Sequence, residues 1–337
     1  MAEVAFESVQ LKLEAVRGTI LTPPDHWLNM VGTLTPMREL YRAPDTTATL
    51  AEHGGRTQIV RKWGELAADG DLDPWMLPVL ANMALKGGIT TPATPPSAVL
   101  TKSWVFPRSI TADDLKSATE YFGDPNQKIY QGGYGMLDEL TIKSQPTGND
   151  GTKMSVKGHT HFLTQLGAAP TPPAQALGPL IVPGWIAVYA DTSLAIGTTL
   201  IVGRVLNVEH TFPTGVTYKW PGQGPASGLD YHHTGRKKTH CTTKITLDMV
   251  DQTEYNLYEG AQQVKLRVIH YGSAIETVTG PLTYYNMVQV DMYGTLDSLK
   301  WANYEGNRTM ELTMESEENA TAGTDAIVTV YNTRATL

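Results

Sequence analysis

Two histidines in His159-Thr160-His161 are the side chains best spaced to do chemistry in this sequence. Residues two apart on a strand share a face, so the pair offers two imidazoles to one metal ion. His232-His233 and His240-Cys241 add further candidates. A zinc site needs three or four ligands, and no third ligand stands at a recognised spacing. The plainer reading is histidines exposed on strands and in a loop. Asp113-Asp114 and Glu317-Glu318 are carboxylate pairs of the kind a glycosidase uses as acid and base. Adjacent carboxylates are ordinarily just solvated, and catalysis depends on a separation that a sequence does not display. Gly132-Gly133-Tyr134-Gly135 lacks the helix and lysine that complete a phosphate loop and is read as a turn. Asn307-Arg308-Thr309 and Asn319-Ala320-Thr321 match the glycosylation sequon, which is common by chance. The expectation is no catalytic residue, no metal and no cofactor.

The elements that would carry these residues are mostly strands. The chain has 337 residues, 41% hydrophobic and 18% charged, with 31 glycines and 21 prolines, which suits many turns and β structure over two domains. A single cysteine, Cys241, rules out an intrachain disulfide. The first residues have no basic cluster followed by an apolar run, and the longest apolar stretch, Leu177 to Val188, is broken by glycine and proline. A soluble protein without a secretory signal is expected. The formal charge of −8 argues against a surface built to grip nucleic acid, though not against one that DNA slides past. Seven Trp and fifteen Tyr would suit a sugar-binding surface, and equally well the core and faces of sheets.

One stretch occurs twice. Gly135-Met136-Leu137-Asp138-Glu139-Leu140-Thr141-Ile142 returns as Gly294-Thr295-Leu296-Asp297-Ser298-Leu299-Lys300-Trp301, sharing Gly-x-Leu-Asp-x-Leu and a large apolar residue after it. Each copy runs into a glycine turn and a second alternating segment, so both read as hairpins. In the same order, His53-Gly54-Gly55-Arg56 precedes the first copy and His233-Thr234-Gly235-Arg236 the second. A duplication accounts for both matches. Its boundary falls in the Ala/Pro/Gly connector 168–183, which divides the chain into residues 1–180 and 181–337.

Along the first unit, residues 6–14 read as a strand and 33–57 as a polar loop or extended arm. Residues 73–86 predict the one clear helix, capped by Asp73, opened by Pro74 and stopped by Gly87-Gly88, with one apolar face packed on a sheet. Trp104-Val105-Phe106 is a short strand, and 111–122 is open between a helical turn and a strand. The second unit reads as strands at 185–189, 198–207, 216–220, 241–247, 264–271, 284–293, 296–301, 309–315 and 326–332, with a polar loop at 222–235.

This arrangement resembles the major tail tube proteins of long-tailed, non-contractile bacteriophages. The stretches that carry the resemblance are the opening strand Phe6 to Leu13 with Arg17-Gly18-Thr19, the Gly55-Arg56 segment, the helix Pro74 to Leu85 and the strand Ile129 to Ile142. The ending adds Tyr284-Tyr285, Glu305-Gly306-Asn307-Arg308-Thr309 and Ile327 to Asn332. The resemblance implies a mainly β fold, two tandem tail-tube-like β-barrel or sandwich units with a flanking helix in the first. It further implies a non-enzymatic virion protein that self-assembles into stacked rings, trimeric with pseudo-sixfold symmetry. Genomic DNA would pass through the lumen without specific binding, other tail proteins would be partners, and no membrane would be involved. The virion tail, and the host cytoplasm during assembly, would be its locations. Arg56 and Arg236 are the residues expected to make contacts between subunits, or else are two solvated loop arginines. Two alternatives stand beside this reading: another tail ring component of the same fold, terminator or baseplate, and a β-sandwich carbohydrate-binding protein.

Overall fold

The computed structural model describes residues 8–42, 57–124, 128–146, 151–168, 170–174, 176–192, 195–220, 229–249, 253–278, 282–304 and 306–337. The chain is mainly β. In chain order the first half holds β1 (Ser8–Leu13), β2 (His26–Leu28), β3 (Val31–Arg42), β4 (Thr57–Asp71), α1 (Leu77–Ala84), β5 (Lys102–Pro107), β6 (Ala118–Asp124), β7 (Lys128–Ser144), β8 (Thr152–Thr160) and β9 (Thr164–Gln165). The second half holds β10 (Ile181–Asp191), β11 (Val205–Pro213), β12 (Val216–Lys219), β13 (His233–Arg236), β14 (Thr242–Asp248), α2 (Thr253–Glu259), β15 (Val264–Thr277), β16 (Thr283–Tyr304), β17 (Asn307–Ser316) and β18 (Ala326–Asn332). Every strand pair is antiparallel, and among the described residues 16 strands join one branched sheet that does not close into a barrel, while β12 and β13 form a separate pair. No described helix is long and apolar enough to cross a membrane.

Both copies of the repeated motif lie inside long strands that turn into hairpins, β7 with β8 and β16 with β17. Each hairpin has a β-bulge at the same motif position. Leu137 faces Gly158 and Glu139 faces Lys157, leaving Asp138 as the extra residue; Leu296 faces Met314 and Ser298 faces Thr313, leaving Asp297. Such bulges bend a strand and change which neighbour it can reach. Before its bulge β7 pairs with β6, and beyond it with β11; β16 before its bulge pairs with β15 and β18. The motif glycines are needed for close approach: a Cβ on Gly135 would overlap the Glu120 carboxyl, and one on Gly294 the carbonyl of Glu315.

The rest of the ladder follows the same order twice. The path β1–β6–β7–β8–β4–β3 is matched by β10–β15–β16–β17–β14–β11. A helix follows β4, and another follows β14. The two series are continuous, because β11 pairs with the far half of β7, from Val208 opposite Ser144 to Pro213 opposite Glu139.

Helix α1 lies within the expected span 73–86 but is shorter at both ends: its N-cap is Met76, which makes no side-chain capping bond, so Asp73 and Pro74 stand in the turn before the helix and do not cap and open it. The Asp73 carboxylate accepts the Trp75 N–H at 2.7 Å and the Met76 N–H at 3.4 Å, and Pro78 sits in the first turn. All eight of its residues are buried, so a single apolar face is not what it presents; it is enclosed by β5, β7 and β18. Its one polar member, Asn82, is satisfied by the Pro78 and Ile89 carbonyls and the Ile89 N–H. Each large apolar side chain fully buried there contributes roughly 1.5–3 kcal/mol.

Several elements differ from the sequence expectation. Of the loop or extended arm expected over 33–57, residues 43–56 lie outside the described residues, and 31–42 pair with 57–71 as an antiparallel ribbon; its charges are exposed with no clean alternation, and the strands are specified by pairing with each other and with β8. The segment 198–204 lies outside the strand that starts at Val205, residues 283–304 are one strand where two were expected, and 118–124 is a strand. Helix α2 was not anticipated: it is short, and its buried Glu254 is held by Arg204 at 2.7 and 3.2 Å.

Candidate assembly interface

Where β11 leaves the ladder at Pro213, the chain forms an arm that carries β12 and β13 and folds back over β7 and β8. The arm is pinned at the first bulge. Thr214 donates its N–H to the Asp138 carbonyl (2.8 Å) and its hydroxyl to the Leu137 carbonyl (2.7 Å). The Asp138 carboxylate accepts the Tyr218 hydroxyl at 2.8 Å and lies 2.6 Å from His159 Nδ1. Asp297, its counterpart in β16, is exposed.

The arm's centre is Tyr231, fully buried, whose hydroxyl donates to the carbonyl of Tyr134 at 2.5 Å. Its ring meets Tyr218 and His161 at 4.8 Å and Tyr134 at 5.3 Å between centroids, in tilted or edge-on geometry favoured by aromatic quadrupoles. Burial above all pushes the phenols of Tyr218 and Tyr231 up, so both remain neutral donors. At the rim, Leu229 accepts the Lys62 N–H at 2.8 Å, and Asp230 accepts that of Phe162 at 2.8 Å.

The sequence candidates are dispersed by this arrangement. His159 faces Asp138, while His161 Nε2 lies 2.8 Å from the Tyr231 carbonyl, and burial lowers its pKa. His240 Nδ1 contacts the Ser316 carbonyl at 2.9 Å, and burial pushes the Cys241 thiol up to about 12. His232 and His233 have their rings 6.5 Å apart. Among the described residues no three His, Cys, Asp or Glu side chains gather as metal ligands. Asp113 takes a two-pronged bond from Arg17 at 2.8 Å, and Asp114 pairs with Lys86 at 3.3 Å, so the two adjacent acids serve different partners. Glu317 and Glu318 line an open groove with Lys237 and Lys238.

Gly132-Gly133-Tyr134-Gly135 is not a turn but an irregular stretch within β7, between the pairs Glu120–Gly132 and Ala118–Gly135. Tyr134 there adopts φ +56°, in the left-handed region. Its N–H donates to Glu14 at 2.9 Å and its carbonyl accepts from Tyr231, so both ends of the strained residue are held.

Arg236 lies in β13 and donates to three backbone carbonyls, those of Thr214, Ser109 and Ala112, each at 3.0 Å. Arg56 lies outside the described residues. Of the polar loop expected at 222–235, residues 222–228 lie outside the described residues and 233–235 belong to β13; its docking on β7 and β8 was not foreseen, although tyrosine and tryptophan recur at Tyr218, Trp220 and Tyr231 in a segment otherwise rich in glycine and polar residues. No protein-family model matches the chain, and a comparison with curated proteins finds none similar to it.

Proposed function

We propose that this chain is a structural ring protein of a virion, the tail tube subunit of a long-tailed, non-contractile bacteriophage, with no catalytic role. One observation carries the reading: a bulged hairpin, with its glycine and its bulge aspartate, occurs twice within the same order of strand pairing. On this reading residues 1–180 and 181–337 are tandem units, each with a helix after its third matched strand in chain order. The units are joined edge to edge by β7 and β11, as neighbours in a ring would be. Three copies then supply six units around a channel, stacked rings form the tube, and DNA passes through an acidic protein that does not hold it.

Negative-stain electron microscopy and light scattering over a concentration series test this. The expected result is threefold rings with pseudo-sixfold averages that stack into tubes as concentration rises. A monomer at every concentration would overturn it. This reading gives Arg56 and Arg236 contacts within or between rings, which for Arg236 would add to its bonds with the Thr214, Ser109 and Ala112 carbonyls of its own chain. Arg56→Ala and Arg236→Ala are expected to give shorter tubes in the same images, and tubes of unchanged length would remove that role.

A further inference from the structure

The junction of β7 with β11 has counterparts at both ends of the molecule that are left without a partner. Aligning the two hairpins at their glycines, Gly135 on Gly294, and following the ladder outward places β8 on β17, β4 on β14 and β3 on β11. Among the described residues β3 pairs only with β4, and the half of β16 beyond its bulge pairs only with β17. One sheet edge therefore corresponds to β11 and the other to the far half of β7.

The side chains differ as loss of a neighbour would require. At the internal junction, Leu140, Ile142, Val208, His210 and Phe212 are all buried. Their counterparts are Leu299, Trp301, Gly32, Leu34 and Pro36. Of these Trp301 is 43% exposed, Pro36 is exposed, and Leu299 and Gly32 are half-buried; only Leu34 is covered. Thr214 N–H donating to the Asp138 carbonyl sets the parity of the internal junction, in which Phe212, His210 and Val208 exchange hydrogen bonds with Leu140, Ile142 and Ser144. The same parity turns the N–H groups of Gly32, Leu34, Trp301 and Asn303 outward at the free edges. Pro36 lacks one, which an edge strand tolerates and which costs the new pairing a single bond.

We infer that β3 of one copy adds to the far half of β16 of a second copy, in the register that β11 takes on β7. The register sets Gly32 opposite Asn303, Thr33 opposite Ala302, Leu34 opposite Trp301, Thr35 opposite Lys300 and Pro36 opposite Leu299. Each added strand satisfies outward-facing backbone groups and covers the exposed Trp301, and a closed ring leaves neither edge free. This interface rests on the tandem-unit reading above and gives it a residue-level register.

Thr33 and Ala302 form a pair of the closer, non-hydrogen-bonded kind, within reach of a disulfide. The full-length chain carrying Thr33→Cys and Ala302→Cys is expected to form reductant-sensitive covalent dimers and trimers on oxidation, while a Thr33→Cys, Lys300→Cys chain, shifted by two residues, forms few. The native Cys241 is buried and does not compete. A second variant, Asn303→Pro, removes an N–H that the isolated chain leaves outward; it is expected to keep the native melting temperature and to raise the concentration needed for rings by about tenfold or more. Rings that form without the Thr33–Ala302 cross-link, or an Asn303→Pro chain that assembles at the native concentration, would overturn the register and leave the ring reading standing. A native chain that never assembles would sink both.

Discussion

Glu120→Gln is expected to remove a loss of stability that builds up between pH 5 and pH 8. Glu120 is fully buried in β6, and neither carboxyl oxygen has a hydrogen-bond partner. Burial first, and then the nearby carboxylates of Glu14 and Asp138, push its pKa from 4.5 up to about 8. Glu14, by contrast, accepts from the N–H groups of Gly18 and Tyr134 and the hydroxyls of Ser117 and Thr119. One carboxyl of the neighbouring pair thus has the donors a carboxylate needs, and the other has none. Below its ordinary pKa Glu120 is protonated whether the chain is folded or not. As pH rises from there, only the unfolded chain releases the proton, so stability falls until the folded group also ionises near pH 8. The loss over that window is about 5 kcal/mol. Urea unfolding from pH 5 to pH 9 should show native protein and variant converging at the acid end and separating steadily towards pH 8, with the variant the more stable. An unchanged slope in the variant would mean that another group carries the dependence.

The second large effect is expected at Arg108 and Asp325. Both are almost fully buried and form an ion pair, with Asp325 also accepting the Ser316 hydroxyl at 2.7 Å. Arg108 further donates to the carbonyls of Pro213 (3.2 Å) and Thr239 (3.0 Å) and to the Thr239 hydroxyl at 2.6 Å. The pair therefore ties the end of β5 to the start of β18 and to both ends of the arm between β11 and β14. Removing one partner leaves the other charge buried and unmatched, at a cost of about 3–5 kcal/mol. Arg108→Met or Asp325→Leu alone should lower the unfolding free energy extrapolated from urea titration by that amount, and the double variant by much less, because no orphan charge remains. Single and double variants of equal stability would show that the pair acts only through its packing.

Local sequence was informative where local physics decides. The helix was legible from its apolar spacing and the Gly87-Gly88 stop, while its start was misplaced because the turn at Asp73 and Pro74 precedes the helix and does not cap it. The bulged hairpins were legible as repeats, since glycine at a close approach and alternation along a strand leave marks that do not depend on distant partners. The long β3–β4 ribbon was not, because its exposed charges hide the alternation and its register comes from β8. The histidine candidates illustrate the same limit: two imidazoles placed two residues apart in the chain meet an acid on one side and a carbonyl on the other, supplied by elements far away in sequence.

What the sequence by itself determined was the β character, the main helix and the presence of two similar hairpins. Hydrophobic period and glycine placement each act over a span shorter than one element. The tertiary structure alone decided that β11 joins β7, that the arm closes over Asp138 and Tyr134, and that Glu120 is buried without a donor. Those outcomes depend on which strand edges find each other after the chain has turned back on itself. Backbone edges carry the same N–H and C=O groups at every strand, so only packing across the whole sheet selects among them.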